Sequence, residues 1–381
     1  MRELTWDQVC ARRLARTLLT VPAPAGGLVA AARAVCGVQA QVAVAAELAL
    51  GARVTQVTQQ DVRAELWERR RLYKTYSLRG TLHLHPSDEL PLWTAARQAL
   101  PDWRAGQWAA SYRLEPAQAE AVLAALSEVL DGQRLLREAL ADGVAARAGA
   151  WARQRLGSIW ADLIGLGFGA GLVCFGPSQG NKVTFVRTDQ WLGAWTLPDP
   201  DQALAEVFRR YLTTFGPANP RDFASWFAGR WLQPEGLQGV LDALAGELVE
   251  VSVEGRRAWM LASDAAADWE PLVGTLRLVP QYDCYILGCR FGRERIAAAG
   301  RDRVAAFKNG RFEGATGLPL LLVDGMVAGM WERRQRGGGV EVRVEPFVQL
   351  TPQQTRQLEA EVERIGAFLG ARASLSVCQL A

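Results

Sequence analysis

One pattern recurs three times between residues 1 and 265 and constrains the fold more than any single motif: helical periodicity, then two short extended pieces around a tight turn. In the first copy, Leu4 to Leu19 reads as a helix with Thr5 as its N-cap. The pieces LVAAARAV and VAVAAELALGAR follow, and Thr58 with Asp61 three positions later opens another helix. YKTYSLRGTLHLHP is then β-rich, with Arg79-Gly80 between its extended halves and Pro86 as its stop. In the second copy, AEAVLAALSEVL and RLLREALADGV read as helices, and Val173–Phe175 and Val183–Val186 flank a turn of Gly, Pro, Ser and Asn. In the third, ALAEVFRRYLTTFG closes at Gly216, Asn219 and Pro220 open PRDFASWFAG, and a hairpin turns at Glu254-Gly255.

From Leu276 the texture changes to strands: LRLVP, YILGC, GLPLLLVDGMVAGMW and GGGVEVRVEPF, with Asp324-Gly325 as a hairpin signal. The tail places Leu358, Val362 and Ile365 on one helical face and ends at Gly370. Helices followed by a two-stranded hairpin are the layout of a winged helix. The expected fold is therefore α+β, with three tandem winged-helix modules at 1–100, 115–196 and 200–265. A mostly β C-terminal domain with a terminal helix occupies 272–381.

Composition mainly excludes. Hydrophobic residues make up 49%, enough to bury a core, and no run of about 18 apolar residues predicts a membrane span. The opening MRELTWDQVCARRLARTLL is amphipathic and charged rather than secretory, so a cytoplasmic, nucleoid-associated protein is expected. None of the six cysteines has C-x-x-C spacing and His83 and His85 are the only histidines, so no metal is expected and the thiols read as reduced and buried. Phosphate-binding loops, dinucleotide fingerprints and H-E-x-x-H are all absent, and no cofactor is expected. A net charge of +3 is too mild to establish a nucleic-acid partner. Only Lys74, Lys182 and Lys308 are lysines among the 43 basic residues, so 40 are arginine. Arginine suits forked phosphate contacts, but codon usage is the plainer reading of most of the excess.

The stretches VCGVQAQVAVAAELALGAR, SLRGTLHLH and RRYLTTFGPANPRDFASWFAG resemble the tandem winged-helix DNA glycosylases, the AlkZ/YcaQ-like family. VPQYDCYILGCR and LLLVDGMVAGMW fit that family's C-terminal β region, so the resemblance runs in order from Leu4 to Phe347. It implies a C-shaped arrangement of the three modules and catalysis by a Gln-apolar-Gln motif, here Gln39-Ala40-Gln41. It also implies a monofunctional enzyme, expected to be a monomer, acting on double-stranded DNA that carries N7-alkylguanine, including interstrand crosslinks. Gln41, where broader-range relatives carry Asp, groups the chain with the azinomycin-type branch; Ala40 is smaller than the apolar residue expected there.

Two amides suit this chemistry. Alkylation at N7 makes the base cationic, so it leaves without protonation, and an amide carbonyl can hold the attacking water and face the developing sugar cation. If Gly37-Val38 ends the preceding helix, extended backbone puts Gln39 and Gln41 on one side; within a helix they diverge. His83 and His85 share one face of an extended stretch and read first as ordinary wing residues, second as site residues. Arg69, Arg70, Arg71 and Lys74, beside Trp67 and Tyr73, form either a phosphate-contacting patch or a solvated helix end. Further DNA-contact candidates are Arg79, Lys182, Lys308 and Arg311, together with Arg333, Arg334 and Arg336. The alternative reading is a non-catalytic winged-helix DNA-binding protein or transcriptional regulator, dimerising through the helix from Thr351; it has no need of the glutamine pair.

Overall fold

A computed structural model describes residues 1–100, 112–157, 163–229, 232, 234–297, 302 and 317–378. The chain folds as two compact units. One comprises Met1–Arg63, Arg209–Trp226 and Leu244–Ala381, the other Ala64–Phe208 and Phe227–Ala243.

The first unit begins with β1 (Arg2–Leu4) and α1 (Trp6–Arg16). Thr5 caps α1 as expected: its hydroxyl accepts from the Gln8 amide at 3.2 Å, and the Gln8 side chain accepts from the Thr5 amide at 3.0 Å. The helix buries Val9, Cys10 and Leu14, but also two arginines. Arg13 donates to the carbonyls of Phe215, Pro217 and Phe291 at 2.9–3.0 Å. Arg12 donates to those of Leu212, Thr213 and Gly216 and pairs with Asp264. Most of these carbonyls lie in or just past the last turn of the helix Pro200–Phe215, where unsatisfied acceptors and the negative dipole end favour a cation. Burial pulls the Arg12 guanidinium down to about 10, against the opposing pull of Asp264. Part of the arginine excess is thus internal scaffolding.

β1 pairs in parallel with Leu248–Val253, which forms the third predicted hairpin with Arg256–Leu261. Its turn residues Glu254 (φ 46) and Gly255 (φ 82) are both left-handed, as a two-residue hairpin turn requires. The C-terminal sheet has five strands in the order Leu276–Val279, Leu320–Val323, Met326–Arg336, Gly339–Pro346 and Ala373–Val377. The first four are antiparallel and the last joins in parallel. Asp324 (φ 50) and Gly325 (φ 82) make the predicted turn. The C-terminal helix Pro352–Leu369 buries Leu358, Val362 and Ile365 and ends at left-handed Gly370.

Two local expectations are corrected. YILGC is not a strand: Cys284–Gly288 is a short helix, because the Asp283 carboxylate accepts from the Tyr285 amide at 2.9 Å and starts it. Arg134–Leu136, expected to start a helix, is a strand, and the helix begins at Arg137.

In the second unit, Leu72–Tyr76 and Leu82–Pro86 form the first hairpin. Helices Pro116–Val129 and Arg137–Ala148 pack against a three-stranded sheet in which Lys182–Arg187 lies between Arg134–Leu136 and Val173–Gln179. Leu126, Val144, Phe168, Phe175 and Phe185 fill the core, with Tyr76 packed against it.

Candidate active site

The Gln39-Ala40-Gln41 segment is placed by the end of one helix and the start of the next. α2 (Leu28–Ala34) ends in two reversed bonds: the Cys36 amide donates to Arg33 and the Gly37 amide to Ala32. This is the Schellman arrangement, with Cys36 (φ 58) and Gly37 (φ 91) both left-handed. Cys36 occupies a position that usually selects glycine, and a side chain there costs on the order of 1 kcal/mol or more. The Thr214 hydroxyl donates to the Ala34 carbonyl at 2.8 Å and lies 3.7 Å from the Cys36 thiol, closing that corner. The chain then extends through β2 (Val38–Gln39), as the sequence suggested for a helix ending before the motif. Val38 and Ala40 are sealed at 0% and 1% exposure, Gln39 is 8% exposed and Gln41 is exposed. The small Ala40 side chain therefore sits on the core face.

α3 (Ala43–Gly51) starts immediately afterwards, and no side chain caps its N-terminus. Three contacts hold this helix. Gly51 passes so close to Phe368 that an added Cβ would meet the ring at 2.5 Å. Glu47 accepts from Gln59 at 2.6 Å and from Arg63 at 2.9 Å. Just beyond the helix, Arg53 donates to Ala49 at 2.8 Å and grips Asp283 with both terminal nitrogens at 2.8 and 2.7 Å. Both partners of this ion pair are fully buried; burial alone would lower the Arg53 guanidinium, but Asp283 more than offsets it and holds it above its usual range.

The first hairpin carries the histidines. His83 and His85 are 1% and 0% exposed, and their rings stack at 5.7 Å on one face. His83 Nδ1 lies 2.9 Å from the Thr81 carbonyl, whereas neither ring nitrogen of His85 has a hydrogen-bond partner among the described residues. His85 instead packs 4.5 Å from the Trp93 ring. Burial drives His85 down to about 3; burial, then Arg79 and His85, hold His83 well below the ordinary range. Arg79 (φ 56) and Gly80 (φ 69) form the left-handed tip, at a cleft also lined by Tyr76, Trp93, Arg97 and Phe168.

The basic run is partly neutralised internally. Arg69 and Arg71 both contact the buried Glu65 carboxylate, at 3.1 and 2.7 Å, so neither is the unpaired cation that a phosphate-contacting patch supposes. Arg70 is exposed and stacks 3.7 Å above Trp191, and Lys74 lies 5.4 Å from the Phe175 ring. The i, i+4 spacing of Glu65 and Arg69 signalled that pairing; the Trp191 shelf, more than a hundred residues away, had no local signal. Lys182 is 3.9 Å from Glu138 on an exposed surface. Arg333 and Arg334 are exposed, and Arg336 ends its strand. Lys308 and Arg311 lie outside the described residues. Among the described residues no group of three or more His, Cys, Asp or Glu could hold a metal ion, and Cys378 is the one thiol that is not buried.

Comparison with known proteins agrees with this architecture along nearly the whole chain. The family model for DNA glycosylase AlkZ-like proteins matches residues 32–368. An interstrand DNA cross-link repair glycosylase of Streptomyces sahachiroi is 30% identical over 371 residues, covering 96% of this chain and 97% of the relative. The solved structure of the Streptomyces sahachiroi DNA glycosylase AlkZ superposes with a TM-score of 0.81 at 28% identity, covering 99% of this chain and all of that one. The chain therefore belongs to the AlkZ-like DNA glycosylase family and is a hydrolase of N-glycosyl bonds.

Proposed function

We propose that this enzyme is a monofunctional glycosylase that removes N7-alkylguanine from double-stranded DNA, with bulky and interstrand-crosslinked adducts as its main substrates. The observation that carries this reading is the Gln39-Ala40-Gln41 segment, held between a closed helix end and an anchored α3, with Ala40 buried and Gln41 exposed. The name of the Streptomyces sahachiroi relative, a cross-link repair glycosylase, supports the crosslink assignment.

In the proposed mechanism the Gln39 and Gln41 side-chain carbonyls accept hydrogen bonds from one water and orient it toward C1′ of the damaged nucleotide. The N7-alkylated base is already cationic, so the bond to C1′ breaks as the base leaves with its electron pair, neutral. The carbonyl dipoles face the positive charge growing on the sugar. Water adds its oxygen to C1′ and loses its proton to solvent, since an amide is a negligible base. The product is an abasic site with an intact strand. Arg70, Lys74, Arg79, Lys182 and Arg333 are proposed phosphate contacts.

The test is incubation of the protein with a duplex carrying one N7-alkylguanine. Release of free base together with an alkali-labile site is expected, with no strand break before alkali. Intact lesion after prolonged incubation at saturating protein overturns the substrate assignment.

A further inference from the structure

We infer that the first unit carries a pocket for the lesion's substituent, which takes a planar, uncharged aromatic group attached to the damaged base. This rests on the proposed action on alkylated guanine and names what that site recognises besides the base. A cleft of about 210 Å³ lies between α3 and the C-terminal sheet and is open to solvent on one side. Its walls include Val44 and Leu48 from α3, and Met330 and Trp331 from the strand Met326–Arg336. Val44, on its wall, is only three positions beyond Gln41, so the backbones of the two residues lie within roughly 11 Å of each other.

The lining specifies the occupant. Trp331 donates its indole N–H to the Val279 carbonyl at 2.8 Å, so its polar edge is used and it offers the cleft ring surface. Met330 adds a polarisable thioether, which favours an aromatic neighbour. Glu332, also on the wall, is taken up by Arg334 and Arg343 at 2.9 and 2.8 Å, and so offers a cationic group little. Arg333 is exposed at the same cleft and has no carboxylate partner among the described residues, which leaves its guanidinium available to a phosphate beside the lesion or to the face of the bound ring. A methyl group is far too small to fill this space, whereas a ring reaches its apolar walls.

The experiment measures equilibrium affinity for two duplexes that differ only in carrying N7-methylguanine or N7-benzylguanine. The wild type should bind the benzyl duplex roughly 10-fold more tightly, from burial of the ring. Val44→Trp fills the cleft from a half-exposed helix position and should bring that ratio to about one, with thermal melting confirming that the variant is folded. Equal affinities in the wild type overturn the pocket, as does an undiminished ratio in folded Val44→Trp. Base release is followed on the same duplexes. No release with the affinity ratio retained overturns the proposed reaction on N7 adducts and leaves the pocket standing.

Discussion

At the scale of single residues, the motif owes its placement to alternation. Val38 and Ala40 are sealed in the core, and of the two amides that alternate with them Gln39 is nearly buried while Gln41 reaches solvent. Gln41 is exposed while Gln39 is mostly buried, so truncating Gln39 disturbs packing more than truncating Gln41 does. Gln39→Ala and Gln41→Ala should each slow single-turnover base release at least ~10-fold with little change in affinity for lesion DNA. Release at wild-type rates by both variants would remove the pair from catalysis. His85 presents a different case: a fully buried aromatic body whose two ring nitrogens have no hydrogen-bond partner among the described residues. Its folded value of about 3 lies below the unfolded value near 6.5, so the folded state binds fewer protons. The stability held by neutral His85 is present above pH ~6.5 and is lost as pH falls toward 3, by up to about 1.4 kcal/mol per pH unit. His85→Leu should therefore show a shallower loss of thermal stability between pH ~6 and ~4 than the wild type. Parallel curves for the two proteins would mean that His85 is not held neutral.

At the scale of elements, the basic run before the first hairpin divides into two pairs. Arg69 and Arg71 share the Glu65 carboxylate, so that trio presents about one net charge, whereas Arg70 stands on Trp191 and projects at the surface. Arg70→Ala combined with Lys74→Ala should flatten the dependence of log affinity on log salt by roughly 0.9 for each phosphate that is no longer neutralised. An unchanged slope would make the run a solvated face. What was legible in the sequence at this scale was whatever a few neighbouring residues decide: the Thr5 cap, the Glu254-Gly255 and Asp324-Gly325 turns, the apolar face of the last helix. The helix at Cys284–Gly288 escaped because Asp283 does two things at once, capping that helix and pairing with Arg53, 230 residues away. β1 escaped for the same reason, since its partner strand Leu248–Val253 lies far along the sequence. For the site, the motif residues were named by resemblance and by amide chemistry. The cleft lined by Val44 and Trp331 was not legible, because these distant residues line one space only once the C-terminal sheet has folded.

At the scale of the whole molecule, the question is which lesions a two-amide site can process. A carboxylate at position 41 would place a full charge beside the sugar cation and take up a proton from water; an amide supplies only a dipole, so more of the rate must come from the leaving group itself. Unmodified bases and neutral lesions such as uracil should therefore be left intact, while cationic N7 adducts are released. Adducts with a larger substituent gain further if their extra surface is bound while the bond breaks, because that binding energy helps hold C1′ against the water. Gln41→Asp should narrow the difference between small and large adducts if water activation limits the smaller ones. Single-turnover release from three otherwise identical duplexes, carrying uracil, N7-methylguanine and a bulky N7 adduct, measures all of this at once. The expected order is bulky adduct, then N7-methylguanine, with no detectable uracil. Efficient excision of uracil by the wild type would require protonation of, or strong hydrogen bonding to, the departing base, which Gln39 and Gln41 do not provide, and the amide mechanism would have to be abandoned.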